Sequence, residues 1–310
     1  MEAIKGVTFG YMSQRGEWTT AAAAKSLALM QARTSCNTVI LPVVVEQADP
    51  FSVVINWQGA TVLTDAEVLA MARLARRRGL NVILKPMVNL TDGHWRALIN
   101  FFDHPAPCEP SWDQWFAAYT EFMLHYAKLA EQMQAQMLVI GCELVNTDRR
   151  EQQWRHLISQ IRQVYHGLIT YNCDKYQEDG VQWWDAVDVI SSSGYYPIND
   201  WPAQLARIKK VVDHYDKPFF FCEAGCPSRH GSEYLPNDWT LAGEVDLTAQ
   251  AEWYRSMFDQ TAQQTWVRGF GLWDWQAQLY PLSQVSSNDD YALYGKPAEQ
   301  LIKNKYELFK

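Results

Sequence analysis

Along the chain, short runs of consecutive apolar residues alternate with longer stretches in which apolar positions recur every third or fourth residue. A continuous apolar run suits a strand buried on both faces, whereas the longer period suits a helix packed along one stripe. The pattern predicts strands over residues 5–11, 38–44, 81–87, 136–143, 168–173, 187–194, 217–223 and 267–273. Helices are predicted over 20–32, 64–78, 112–134, 151–165, 202–214, 247–263 and 297–309, with a short, weak one around 176–185 making eight. Thr64 and Glu67 form a capping-box pair at one helix start, and Gly79 stands just past its end, where a left-handed residue is needed.

Strand followed by helix, repeated eight times without a linker or internal repeat, predicts a parallel sheet of crossover units. The fold class is therefore α/β, a single (β/α)₈ TIM barrel over residues 1–310 rather than an open doubly wound sheet. The long connections, 46–63, 89–111, 224–246 and 274–296, all follow strands. They fall on the carboxyl rim of the barrel, the face where such folds place their chemistry.

Composition narrows the partners. A chain of 310 residues, 48% hydrophobic, lies in the size range of one barrel. A net charge of -8 argues against nucleic acid, and the cluster Arg73, Arg76, Arg77 and Arg78 sits where a helix C-terminus favours cations. No apolar stretch approaches the roughly 20 residues a membrane span needs, so no membrane partner is expected. The first five residues lead directly into the first predicted strand, leaving no room for a secretion signal. Six cysteines without metal or CxxC spacing then read as free thiols of a cytoplasmic protein. Seven scattered histidines and the absence of GxGxxG, GxxxxGK and GxSxG patterns imply no metal, no cofactor and no serine elbow.

What remains is a pair of carboxylates. Glu143 ends the fourth predicted strand and Glu223 the seventh, so both reach the carboxyl rim. A retaining glycosidase needs two carboxyl groups about 5–5.5 Å apart across a glycosidic bond, and strands four and seven face each other over the barrel axis. Alternation along each strand turns Glu143 with Gly141, and Glu223 with Phe221, toward the mouth, leaving the Cys142 and Cys222 thiols toward the helices. Fourteen tryptophans, many in rim positions, supply flat faces for sugar rings and a polar N–H for hydroxyls. Trp18, Lys85, Asn89, Trp95, Asn172, Tyr195, Tyr196, Trp273 and Trp275 are the candidate substrate-binding residues. A tyrosine of the 195–196 pair can orient the nucleophilic carboxylate or simply cap the barrel. Lys85 and Asn172 fit either a sugar hydroxyl or a structural contact.

The motifs 81–86 with 92–96, 115–119, 125–131, 139–144, 154–155, 168–171, 184–188, 195–197 and 223–225, in that order and spacing, resemble glycoside hydrolase family 113, β-mannanase-like barrels of the retaining clan A. The resemblance implies Glu143 as acid/base, Glu223 as nucleophile, and β-1,4-linked mannan or manno-oligosaccharides as carbohydrate substrate. A β-glycosidase or transglycosylase for xylo- or gluco-oligosaccharides, and a non-catalytic sugar-binding barrel, stand as alternatives. The chain departs from the pattern at Met87, Cys142, the 191–194 segment and Cys226, all expected around the pocket.

Overall fold

A computed structural model describes every residue except Leu241 and Lys310. Its strands are β1 (Ile4–Phe9), β2 (Thr38–Gln47), β3 (Ile55–Asn56), β4 (Asn81–Leu90), β5 (Met137–Cys142), β6 (Leu168–Cys173), β7 (Val189–Ser193), β8 (Phe219–Ala224) and β9 (Val267–Trp275). Eight of them pair in parallel in the order β1-β9-β8-β7-β6-β5-β4-β2, and β2 pairs β1 to close the barrel. The two-residue β3 adds an antiparallel edge to the end of β2. Around the barrel lie α1 (Ala21–Thr34), α2 (Asp65–Arg77), α3 (Trp112–Met133), α4 (Glu151–Ile161), α5 (Trp201–Tyr215), α6 (Leu247–Thr261) and α7 (Pro297–Leu308).

Ile4, Ile40, Ile83, Met137, Val139, Val189, Phe220 and Cys222 fill the inside of the barrel, while a larger core lies between strands and helices. The interior is thus a packed plug, and the chemistry is confined to the rim above it. The capping box at Thr64 is present, and Gly79 takes φ +78° just past α2. Ser111 and Gln114 form a second box that starts α3.

Two expectations are corrected. The described residues hold seven α-helices, because the β6–β7 connection carries only a single 3₁₀ turn at Trp184–Ala186. Trp183 and Trp184 fill that place: both are fully buried, their N–H groups donate to the carbonyls of Asp148 and Glu178, and Trp183 stacks on Trp154. The other correction concerns length. β2 and β4 stay in register for ten pairs, from Thr38 with Asn81 to Gln47 with Leu90. Asn89 therefore sits on a strand and is held in place by the ladder.

Candidate active site

Glu223, at the end of β8, is 4% exposed and gripped from three sides. The Lys85 ammonium on β4 contacts Oε1, the Cys142 thiol donates to Oε1 at 3.2 Å, and Tyr195 Oη donates to Oε2 at 2.8 Å. Burial alone would raise this carboxyl, but the Lys85 charge and hydrogen bond, the Arg96 charge and the Tyr195 hydroxyl outweigh it and hold it below the ordinary glutamate range. Lys85 is itself fully buried, and its ammonium lies 5.9 Å from the Trp273 ring centre.

Glu143, one residue beyond β5, is served by lighter contacts. Ser193 Oγ donates to Oε1 at 2.7 Å, while Trp95 Nε1 and Arg96 Nη1 approach Oε2 at 3.2 and 3.3 Å. Trp95 is 46% exposed, so on this side the carboxylate is covered by an indole that solvent reaches. Arg96 is fixed by the Val88 carbonyl at 2.9 Å and Asn89 Oδ1 at 2.6 Å, and its Nη1 also lies 3.5 Å from Cys142 Sγ. Asn89 in turn donates to Tyr11 Oη at 3.1 Å, and the Tyr11 ring packs on Trp273 with centroids 4.5 Å apart. Below them Asn172 donates to Cys142 Sγ and to Ser193 Oγ, joining the surroundings of the two acids.

The strands reach this arrangement by breaking their own alternation. Along β5 the register slips between Val139 and Cys142, so that Ile140 and Gly141 both turn outward. A Cβ on Gly141 would come within 2.8 Å of Tyr171 and 2.9 Å of Trp154, in the helix layer. Cys142 then points inward, and Glu143, at a left-handed φ of +52°, is turned inward after it. Along β8 the residues Cys222 and Glu223 oppose the single step from Ser192 to Ser193, a bulge that sends both to the inside. The expected outward orientation of the two thiols is thereby overturned: Cys222 belongs to the barrel plug and Cys142 touches the Glu223 carboxylate.

Six of the nine candidate binding residues, Lys85, Asn89, Trp95, Asn172, Tyr195 and Trp273, converge on the two acids. The other three are placed elsewhere. Tyr196 is fully buried in the helix layer, where its hydroxyl donates to Glu178 and its ring packs on Trp201. Trp275 is turned outward because β9 carries an extra residue between Leu272 and Trp275 opposite Val7 and Phe9; its N–H donates to Ser26 at 3.0 Å. Trp18 is 2% exposed and packs against Phe9 and Gly10 beneath the first loop. Arg96, Ser193, Cys142, Tyr11 and Tyr291 line the site without having been singled out as binding residues. Arg96 directly follows Trp95, but only the folded loop shows that it turns toward Glu143.

The Glycoside Hydrolase Family 113 model matches residues 7–296. A β-1,4-mannanase of that family, solved as a complex, superposes with a TM-score of 0.98 at 53% identity, over 99% of each chain. The chain belongs to glycoside hydrolase family 113. The family's β-mannanase from Alicyclobacillus acidocaldarius, in complex with ManMIm, superposes at 0.96 with 38% identity over 100% of this chain and 99% of that one. A β-glucuronidase from Dictyoglomus thermophilum shares the fold alone, at 14% identity and TM-score 0.67 over 99% of this chain and 50% of that one. No curated protein sequence matches. As a family 113 glycosidase the chain carries its departures in two settings. Met87 and Cys142 line the pocket beside Tyr195 and Trp273, and Ser193 holds Glu143. Cys226 is instead buried against Ser232, away from the acids, which corrects its expected place at the pocket.

Proposed function

We propose that this protein hydrolyses β-1,4-linked mannan or manno-oligosaccharides with retention of configuration, Glu223 acting as nucleophile and Glu143 as acid/base. The observation that carries the assignment of roles is the contrast in partners: Glu223 is pinned by a buried lysine and a tyrosine that favour its ionised form, whereas Glu143 meets the solvent-facing Trp95. The substrate class is supported by the β-1,4-mannanases that superpose over nearly the whole chain.

In the first step a Glu223 oxygen attacks the anomeric carbon as the glycosidic bond breaks, and the Glu143 proton passes to the departing sugar oxygen. Esterification removes the Glu223 charge, and Glu143, now ionised, receives the Arg96 and Ser193 contacts. In the second step Glu143 takes a proton from water, whose oxygen attacks the same carbon and releases Glu223. Lys85 and Tyr195 favour Glu223 as an ion at the start of the cycle and again as it leaves. Tyr11, Trp273 and Tyr291 form an aromatic cluster with Tyr195 beside the nucleophile, the kind of surface on which a sugar ring packs.

The deciding experiment is product chromatography of wild type and Glu223→Ala on matched manno-, xylo- and gluco-oligosaccharides. Cleavage of the manno series by wild type alone is expected; preference for another series would replace the sugar assignment, and no cleavage of any would overturn the function. Action in the cytoplasm is supported by six cysteines that are all free, five of them buried. Cell fractionation tests that placement.

A further inference from the structure

Asp174, just beyond the end of β6, is 7% exposed. Among the described residues no side chain donates to its carboxylate and no cation lies within 4.0 Å of it, although three other carboxylates, Glu143, Asp148 and Glu178, act on it or are acted on by it. Its direction follows from the strand. Asn172 points inward to Cys142 and Ser193, Cys173 points outward into the helix-layer core, and Asp174 returns inward one pleat nearer the solvent. The Glu143 backbone N–H donates to the Asn172 carbonyl at 2.8 Å, so the two acids are neighbours across β5 and β6. Burial, and after it the Glu143 charge, push the Asp174 carboxyl up to about 7, with the adjacent Lys175 charge and backbone N–H easing it only in part.

A buried carboxylate without a side-chain donor costs folding free energy and is expected where a ligand completes it. Among the described acids as little exposed as Asp174 on this rim, Glu178 has Tyr196 and Arg207, Asp148 has Tyr171, and Glu223 has Lys85, Tyr195 and Cys142, while the half-buried Asp274 on β9 shares the lack of a side-chain donor. We propose that Asp174 is a substrate-binding residue whose carboxylate accepts a hydrogen bond from a hydroxyl of the leaving-group sugar, the ring on the far side of the bond that is cut. That side follows from its neighbour: Glu143 protonates the departing oxygen, and Asp174, just beyond β6, flanks Glu143 on the side of β5 opposite Lys85 on β4. The proposal rests on the reading of Glu143 and Glu223 given above.

The test compares Asp174→Asn and Asp174→Ala with wild type on two substrates, a β-1,4-manno-oligosaccharide and an aryl β-mannoside, whose leaving group carries no sugar hydroxyls. A hydrogen bond to a charged acceptor predicts a loss of roughly 10- to 100-fold in kcat/KM on the oligosaccharide, carried mainly by KM. The loss on the aryl mannoside is expected to be several-fold smaller. The melting temperature is expected to stay or rise, because the desolvated charge is gone; a structural role for Asp174 would lower it. Equal losses on both substrates, no loss on the oligosaccharide, or a clear fall in melting temperature would each overturn the proposal. A wild type inactive on every mannoside would overturn the proposed function and this role with it, whereas an active wild type with equal losses in the variants would overturn only the role of Asp174.

Discussion

Glu223 and Glu143 stand at equivalent places, each at the end of a barrel strand, but only Glu223 has a buried ammonium against it. Glu143 has a hydroxyl, an indole N–H and the edge of a guanidinium that is already committed to Val88 and Asn89. A carboxylate held by a lysine in a dry site loses its proton early and stays put, which is what a nucleophile needs. One held by weaker donors beside solvent can exchange a proton in both directions through the cycle. The same residue type at two strand ends thus meets two environments supplied by strands that are not its neighbours, Lys85 of β4 for Glu223 and Ser193 of β7 for Glu143, and the proposed division of roles follows from that difference.

The largest effect that separates the two comes from deleting each. Glu223→Ala is expected to abolish turnover on every substrate. Glu143→Ala is expected to lose about 10²- to 10⁴-fold on manno-oligosaccharides and far less on a dinitrophenyl β-mannoside, whose leaving group needs no proton. Product analysis with added azide checks the assignment: a glycosyl azide of retained configuration from the Glu143 variant, and of inverted configuration from the Glu223 variant. The opposite pairing would exchange the roles.

Lys85→Met removes the asymmetry itself. Breaking one side of a buried ion pair costs about 3–5 kcal/mol of stability, read as a lower denaturation midpoint. The sign of the pH effect follows from Glu223. Its folded carboxyl lies below the ordinary value, so its ionised form contributes stability above the ordinary glutamate range, and that contribution is lost as pH falls through the lowered value. Without Lys85 the burial that raises the carboxyl is less opposed, and the acid limb of kcat/KM on an aryl mannoside is expected to move to higher pH. An unmoved acid limb would show that Glu223 does not depend on Lys85.

A smaller contrast lies between two adjacent tyrosines. Tyr195 donates to Glu223, whereas Tyr196 donates to Glu178 in the helix layer. Tyr195→Phe is expected to lower kcat/KM by about tenfold, the worth of a hydrogen bond to a charged group, with little change in melting temperature. Tyr196→Phe is expected to do the reverse, losing about 1–3 kcal/mol of stability as a buried carboxylate loses a donor while kcat/KM stays within twofold of wild type.

The barrel was legible in the sequence because eight apolar runs and the helical periods between them are set by local chemistry, as the caps at Thr64 and Gly79 show. The two acids were legible for the same reason, as each ends an apolar run. Which side chains accompany them was not, because alternation fails where β5, β8 and β9 each carry an extra residue. Those bulges send Cys142 in, Trp275 out and both acids to the axis, and a bulge is a property of paired strands that no single strand displays. Arg96 escaped for a related reason: it lies just outside the strands, where direction depends on what the loop packs against, here Val88 and Asn89. The missing helix between β6 and β7 reflects the buried indoles of Trp183 and Trp184, whose partners lie on other elements.

Cys142 tests the comparison where the two environments meet. Its sulfur is 3.2 Å from Glu223 Oε1 and 3.5 Å from the Arg96 nitrogen that also approaches Glu143. Burial, and after it the Glu223 charge, push the thiol well above its usual range, so it stays protonated and donates. Two outcomes follow. Iodoacetamide at neutral pH is expected to label the exposed Cys108 and leave activity intact, which peptide mapping beside an activity assay reads directly. Cys142→Ala is expected to cost only a few-fold in kcat/KM, since a thiol is a weak donor, with a small upward move of the acid limb as Glu223 loses one of its three grips. Rapid inactivation by alkylation at Cys142 would mean that the sulfur is a thiolate. The ammonium of Lys85 would then be shared between two anions, and the distinction between a firmly ionised Glu223 and a proton-exchanging Glu143 would have to rest on Tyr195.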